Sequence, residues 1–345
     1  MLVIRPVQMA DLDALFTMAQ QTGYGMTTLP PDKDVLRRRI QESQWGFQLA
    51  PEKPRGETYL LVAEDSATGR CVGVGGILSR VGGFDPFYSY RLRTEPCVSE
   101  MLKVNQTVAL LELVVMYDGP ALVGSLFLLP EFRRNGNGRL LSLSRFLFMA
   151  QFPGRFQPHV LAEMRGQIDR DGRSPFWDAV GRHFFGLDFP QADYLTLADK
   201  RFIADLMPRY PLYVPLLPPA AQAAIGQVHP DTQPALKILK DEGFIFENLV
   251  DIFEAGAVYG ASRDRIRAVR ESRSAVVAAL DAPTPSGPAT HVISNTALDF
   301  RACQGSVIPA ADGSIGLPQA TAKALGVKPG AMVRYVAIRP SAVKL

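Results

Sequence analysis

One stretch, Ala121 to Phe152, reads ALVGSLFLLPEFRRNGNGRLLSLSRFLFMAQF and constrains the fold more than any other part of the chain. Its apolar run, Leu122 to Leu129 broken only by Gly124 and Ser125, is short and ends at Pro130, which has no N–H to give to a sheet. It therefore reads as a strand. Arg133-Arg134-Asn135-Gly136-Asn137-Gly138 follows as a turn, and the next segment carries Leu140, Leu141, Leu143, Phe146, Leu147 and Ala150 at helical spacing. Strand, glycine turn and helix in this order build an anion cradle, because the unpaired N–H groups of the first helical turn and the positive end of the helix dipole point at one place. The two glycines let the backbone turn sharply and come close to a phosphate.

The pattern Arg133-x-x-Gly136-x-Gly138 after such a strand resembles motif A of the Gcn5-related N-acetyltransferase superfamily. That resemblance implies an α+β fold, a mixed sheet with flanking helices, in which Arg133, Arg134, Gly136 and Gly138 hold the pyrophosphate of a coenzyme A thioester.

Composition sets the outer bounds. With 345 residues and 47% hydrophobic content the chain can build two domains around real cores. It has no window of about 18 consecutive apolar residues, so no membrane span is expected. The opening Met1-Leu2-Val3-Ile4-Arg5-Pro6 is too soon interrupted to act as a signal peptide. Cys71, Cys97 and Cys303 are far apart, which argues against a disulfide framework or a cysteine metal site and agrees with the cytoplasm. A net charge of +3 is too small to favour nucleic acid and is compatible with a polyanionic acyl donor.

In chain order, Leu2–Arg5 reads as a first strand and the segment from Ala10-Asp11 as a helix with Leu12, Leu15, Phe16 and Ala19 inward. A second helix is expected over Asp32–Ser43, with Arg37, Arg38 and Arg39 as a solvated face. Tyr59–Glu64 and Val72–Ser79 form a hairpin across the Asp65–Gly69 turn. Gly82 to Arg91 is dense in aromatics. It either walls a substrate pocket, with Arg91 pairing a carboxylate, or packs a long loop onto the core. Val160–Met164 is another buried strand, and it ends in Glu163 and Arg165 beside the cofactor turn. Both are candidate substrate contacts, or an ion pair with each other. Ser174-Pro175-Phe176-Trp177 caps and starts a helix running to about Phe185. His229, in Gly226-Gln227-Val228-His229-Pro230, stands just before a helix start that would keep its ring neutral near pH 7. It can relay a proton there, or simply cap the helix. The four histidines form no metal motif.

Further motifs follow in a fixed order. They include Val3-Ile4-Arg5-Pro6-Val7, Thr28-Leu29-Pro30, Tyr88-Ser89-Tyr90-Arg91, Ala162-Glu163-Met164-Arg165-Gly166, Ala204-Asp205-Leu206-Met207-Pro208 and Val250-Asp251-Ile252-Phe253. With the Gly-Gln-Val-His-Pro motif they make most of the chain resemble the arginine N-succinyltransferases of bacterial arginine breakdown. The resemblance implies transfer of succinyl from succinyl-CoA to the α-amine of L-arginine, with no tightly bound cofactor. It further implies that His229 is the proton donor and that Leu126 contacts succinyl-CoA. Some relatives also accept L-ornithine and work as subunits of a two-chain enzyme, so a homo-oligomer or a pairing with a paralogous subunit is expected. The approach to the motif strand, Asp118-Gly119-Pro120-Ala121-Leu122-Val123, departs from the family's more polar pattern and leaves acceptor preference open.

The chain is expected to divide into residues 1–255, the transferase part, and 256–345, a small β-rich part beyond the linker-like Ala282–Pro288. Strands are expected at His291–Ser294, Phe300–Cys303, Ser306–Pro309 and Met332–Ile338, with a short helix and turn over Leu317–Gly330. This part resembles small swapped-hairpin or double-psi barrels, a group that includes DNA-binding regulators. Its few cations favour a structural or subunit-contact role over nucleic acid.

Overall fold

The structure is a computed structural model and describes residues 1–197, 200–280 and 287–340. The first half contains β1 (Leu2–Pro6), α1 (Leu12–Ala19), α2 (Lys33–Gln48), β2 (Thr58–Asp65) and β3 (Arg70–Leu78). Next come β4 (Phe87–Ser99), β5 (Val104–Met116), β6 (Ala121–Leu128), α3 (Asn137–Gln151) and β7 (His159–Glu163). A helical region follows, with α4 (Pro175–Ala179), α5 (Gly181–Phe185), α6 (Phe189–Leu195), α7 (Arg201–Leu206), the two-residue β8 (Leu212–Tyr213), α8 (Pro219–Ala224) and α9 (Gln233–Asp241). The chain then returns to the sheet through β9 (Ile245–Val250), β10 (Ala257–Ser262), α10 (Arg267–Arg270) and β11 (Arg273–Ala279). Its last elements are β12 (His291–Asn295), β13 (Ala302–Gly305), β14 (Ile308–Pro309), β15 (Ile315–Gly316), α11 (Gln319–Leu325) and β16 (Met332–Ala337).

The strands join edge to edge in the order β14-β15-β11-β16-β12-β13-β1-β2-β3-β6-β7-β10-β9-β4-β5-β8. Most neighbours are antiparallel; β6 and β7 are parallel, so the sheet is mixed and the architecture α+β. Among the described residues the order does not close on itself, so the C-terminal strands, which share a small core of their own, are described as an extension of the sheet and not as a closed barrel. The reason is local: β13 spends its outer edge on β1, with Val3 opposite Cys303 and Ile4 opposite Ala302, so the C-terminal strands prolong the sheet. Ala257–Ser262 belongs to the same continuous sheet. It pairs with β7 on one side and β9 on the other, so the hydrogen bonding of the N-terminal half continues past residue 255. Ala282 to Ser286 of the expected linker lie outside the described residues.

The hub of the packing is α3. Every residue from Leu140 to Met149 is buried, including Ser142, Ser144 and Arg145. A helix buried all round must be covered on every side. It packs against the sheet, from β3 and β6 to the C-terminal strands β12, β13 and β16, and against α9 and α10. Phe148 shows how closely the halves share one core: its ring meets Phe47, Tyr59, Phe152, Phe156 and, from the C-terminal part, Phe300. Burying each such ring contributes about 1.5–3 kcal/mol. A second core, with Tyr88, Tyr90, Phe176, Trp177 and Phe253, joins β4 to the helical region.

Two readings of local sequence change. Gly82–Arg91 is only partly loop, because β4 begins at Phe87 and pairs with β5 along thirteen residues. Tyr88 and Tyr90 pack into the second core, whereas Phe84 is exposed. The helix expected from Ser174 to Phe185 breaks at Val180 into α4 and α5, although Ser174 caps it as expected by accepting from Trp177 N–H. Among the described residues no helix is long and apolar enough to cross a membrane.

Candidate active site

The parallel strands β6 and β7 are bonded only at their starts, Ala121 opposite Val160 and Leu122 opposite Leu161. Beyond that point they part, and a cleft of about 230 Å³ opens between Leu122–Leu126 on one side and Ala162–Arg165 on the other. Where β6 borders the cleft it also bulges. Val74 of β3 faces Phe127 and Gly76 faces Gly124, so two steps on β3 oppose three on β6. The extra residue falls at Ser125, whose φ of 52° is left-handed. A bulge of this kind interrupts the ladder and re-aims backbone groups. Here it falls at Ser125 and Leu126, both of which line the cleft. Leu126 itself lines the cleft and packs partly on the core.

The cofactor turn lies at the other end of β6. Arg133 Nε donates to the Leu128 carbonyl at 2.8 Å, and its guanidinium lies over the Phe127 ring, which fixes the strand's exit. Gly136 caps α3 with a φ of 77°, a conformation that any side chain would strain. A Cβ there would also come within 3.3 Å of Gln304 Nε2, so β13 walls the turn. Gly138 lies in the first turn of α3, and Arg134 is exposed beside it. These groups leave the start of a fifteen-residue helix accessible to an anion.

The opposite wall is acidic. Glu163, Asp193, Asp251 and Glu254 all line the cleft. Burial pushes the Glu163 carboxyl up to about 8, with Asp251 adding to it and Lys200 opposing it. Although protein atoms crowd around Glu163, its side chain remains open to the cleft. Burial and then Asp251 likewise push Asp193 up to about 7. Asp251 and Glu254 are raised chiefly by burial as well. Part of the cluster is structural: Asp251 accepts from Phe253 N–H and Glu254 N–H, and Glu254 accepts from Gly166 N–H at 2.8 Å. Gly166 is required for this closeness, since a Cβ would sit 2.6 Å from the Glu254 carbonyl oxygen.

Arg165 belongs to the same wall. It donates to the Thr22 carbonyl at 3.2 Å, and its Nη2 lies 3.5 Å from His229 Nε2. His229 stands just behind the cleft lining, held through its backbone N–H on the Arg165 carbonyl. Its Nδ1 accepts from Asp231 N–H at 3.2 Å. It therefore does cap the 3₁₀ turn Pro230–Thr232 ahead of α9. A neutral ring that accepts at Nδ1 carries its proton on Nε2, so its Nε2–H faces the Arg165 guanidinium, itself only a donor, and the 3.5 Å approach is not a hydrogen bond in this tautomer. Burial first and the Arg165 charge second hold this imidazole below its ordinary range, against Asp231 and the Ile168 carbonyl.

Arg91 is not brought to the cleft. It is exposed on β4, in register with Glu112 and Leu249. Glu112 pairs with Arg93, and Asp85 borders a separate hollow with Trp45 and Phe84. Asp118, in the divergent approach to β6, holds Arg80 at the end remote from the bulge. Sequence reasoning missed Asp193, Lys200, Glu254 and Arg145 as cleft residues. Arg145 alone left a trace, as a lone cation in an apolar helical run.

Residues 2–268 match the family described as arginine N-succinyltransferase beta subunit, and residues 273–337 match its C-terminal domain. The chain is 42% identical to the arginine N-succinyltransferase subunit beta of Pseudomonas aeruginosa, over 97% of its length and 98% of that protein. It is 44% identical to the arginine N-succinyltransferase of an Enterobacter species, with 88% of each chain covered. The solved structure of arginine/ornithine succinyltransferase subunit AI from Pseudomonas aeruginosa superposes with a TM-score of 0.89 at 37% identity, covering 99% of both chains. With the sheet, the parted strands and the motif residues all inside these two matches, the chain belongs to the arginine N-succinyltransferase beta subunit family.

Proposed function

We propose that the chain transfers succinyl from succinyl-CoA to the α-amine of L-arginine, giving N2-succinyl-L-arginine and CoA. The observation that carries this reading is a single cleft with the β6 bulge on one side and a four-carboxylate wall on the other. The cofactor turn, with Arg133, Arg134, Gly136 and Gly138, takes the pyrophosphate of the donor, and the pantetheine arm runs along β6 to Leu126. The carboxylate wall takes the acceptor's cationic side chain, and Arg165 is the cation suited to its α-carboxylate.

The α-ammonium must first lose a proton, and carboxyl groups whose proton affinity is raised into the neutral range are suitable acceptors. The amine then attacks the thioester carbonyl. The oxyanion that forms accepts from the backbone N–H at Leu126. The attacking nitrogen, positively charged after addition, gives its proton to the neutral imidazole of His229, and the imidazolium gives a proton to the thiolate as the C–S bond breaks, so His229 ends neutral. Backbone donors preset at a bulge cost no reorganisation as charge develops.

A second reading, in which the chain works as one subunit of an arginine/ornithine enzyme, draws on its similarity to arginine/ornithine succinyltransferase subunit AI of Pseudomonas aeruginosa. Carboxylates accept a guanidinium or an ammonium alike, so the wall is compatible with both amines. We place the boundary between the transferase part and a C-terminal part, for which we favour a role in subunit contacts, near residues 268–273. The three free cysteines are compatible with a cytoplasmic protein. The purified chain, given succinyl-CoA and either amine, is expected to release CoA with arginine, followed by thiol titration. No release with either amine would overturn the autonomous enzyme, and release only after addition of a paralogous subunit would establish the second reading.

A further inference from the structure

The cleft holds a cation that the mechanism above leaves unused. Arg145 lies in the third turn of α3, reaches the cleft beside Gly124 and Leu126, and is only 2% exposed. Its guanidinium is held by neutral groups alone: Nε donates to the Ser142 carbonyl at 3.4 Å, Nη2 to Ser142 Oγ at 2.9 Å and Nη1 to the Gly124 carbonyl at 3.3 Å. Among the described residues no carboxylate pairs with it, in contrast to Arg5, which holds Asp11 and Glu64, and Arg267, which holds Glu242. Burial alone lowers its proton affinity to about 10, which leaves it charged at neutral pH. A buried charge without a counter-ion is costly unless something supplies the opposite charge. Three bonds use three of the five guanidinium N–H groups. The two that remain are one each on Nη1 and Nη2, the pair that a carboxylate accepts side by side.

The placement identifies which carboxylate. The reaction brings two into the cleft: the acceptor's α-carboxylate and the far end of the succinyl group. Arg165 stands in the acidic wall with the acceptor. Arg145 is on the β6 side, bonded to the Gly124 carbonyl two residues before Leu126, where the thioester carbonyl is held. The free carboxylate of succinyl is only two methylenes from that carbonyl. Gly75 of β3 makes room for the arrangement, since a Cβ there would lie 3.3 Å from Arg145 Cδ and 3.6 Å from Leu126 Cδ1.

We propose that Arg145 is the specificity-determining residue for the donor and binds the terminal carboxylate of the succinyl group. The proposal rests on the succinyl-transfer reading above. It makes α3 serve both ends of the donor: its first turn takes the pyrophosphate and its third turn takes the acyl carboxylate. Acyl groups without that carboxylate leave the guanidinium buried and unpaired, which is how a polar site rejects an analogue that lacks its partner.

The test compares succinyl-CoA with butyryl-CoA, which has a methyl in place of the carboxylate, in the full-length protein and in Arg145→Met and Arg145→Lys. The unsubstituted protein is expected to favour succinyl-CoA by about 10³ or more in kcat/KM. In Arg145→Met that preference collapses by about 10²–10³, through loss with succinyl-CoA while butyryl-CoA stays within a few-fold. Arg145→Lys is expected to recover part of it. A preference that survives in Arg145→Met, or an equal loss with both donors, would overturn the assignment. Should the variants not fold, a crystal structure of the unsubstituted protein with a non-cleavable succinyl-CoA analogue decides the matter. The acyl carboxylate within hydrogen-bond distance of Arg145 Nη1 and Nη2 supports the proposal, and any other seat refutes it. An unsubstituted protein that uses butyryl-CoA but not succinyl-CoA would refute the succinyl reading itself, and this assignment with it.

Discussion

Glu163→Gln removes one charge from the carboxylate wall while keeping the shape of the side chain. In the ternary complex Glu163 would accept from the guanidinium of arginine, and a hydrogen bond between charged groups contributes about 1.5–3 kcal/mol. At about 1.4 kcal/mol per decade, KM for arginine should rise roughly 10- to 100-fold. The increase stays below that of an isolated pair because Asp193, Asp251 and Glu254 remain around the same site. The pH dependence is the sharper signature. Glu163 and Asp193 bind protons up to about 8 and about 7, so near pH 7 the empty cleft is partly protonated. A bound guanidinium favours the ionised forms, so arginine binding must release protons and tighten as pH rises through that window. Without substrate the sign is opposite. The folded state holds protons that the unfolded chain has already lost, so stability falls as pH rises from about 4 toward the same window. Titration calorimetry in two buffers of different ionisation enthalpy counts the protons, and initial rates give KM and kcat. In Glu163→Gln fewer protons are released, and the pH dependence moves down as Asp251 loses a neighbouring charge. An unchanged KM, or an equal rise with norleucine, which has no side-chain charge, would refute the assignment of this wall to the acceptor's cation.

Two further outcomes follow from the same geometry. His229→Ala should lower kcat by about 10²–10⁴ while succinyl-CoA still binds in a calorimetric titration, and unchanged turnover would remove His229 from the proton path. In the unsubstituted protein kcat/KM should fall on the acid side of pH 6.5, because burial and Arg165 hold the imidazole below that value and protonation at Nδ1 breaks its bond to Asp231. Glu242→Ala should destabilise the fold by about 3–5 kcal/mol, since it takes from the buried Arg267 its close carboxylate and leaves it only the longer contact to Glu271 at 3.5 Å. That arginine donates to Glu242 at 2.6 Å and to the Ala337 carbonyl at 3.0 Å, tying α10 to β16. A melting temperature within a degree of the parent would contradict this.

How much of the protein was legible in its sequence depended on the range of the interactions. Strand β6, its turn and α3 were legible because apolar spacing, Pro130 and Gly136 act within a few residues of one another. The hairpin of β2 and β3, the cap at Ser174 and the position of His229 before a turn were local in the same sense. The long β4–β5 hairpin was not legible beyond its aromatic start, since strands with one face toward solvent mix polar and apolar residues without a strong signal. Motif resemblance named the acyl donor and pointed to His229 and Leu126; Glu163 and Arg165 were legible from their strand beside the cofactor turn, whereas Arg91, expected from the aromatic stretch, is exposed on β4 and does not line the cleft.

The sequence by itself determined that a strand, a glycine turn and a helix would make an anion site, and its motifs determined the family. Only the tertiary structure decided that β10 crosses back between β7 and β9, that β13 seals the C-terminal strands to β1, and that Asp193, Asp251 and Glu254 converge on Glu163. The same holds for Arg145, whose meaning depends on its pairing with no carboxylate among the described residues. Local spacing fixes which backbone groups are left unpaired within a turn or a helix end. Which charges meet, and which are left without a partner, depends on contacts between segments that are neighbours only after the chain has folded.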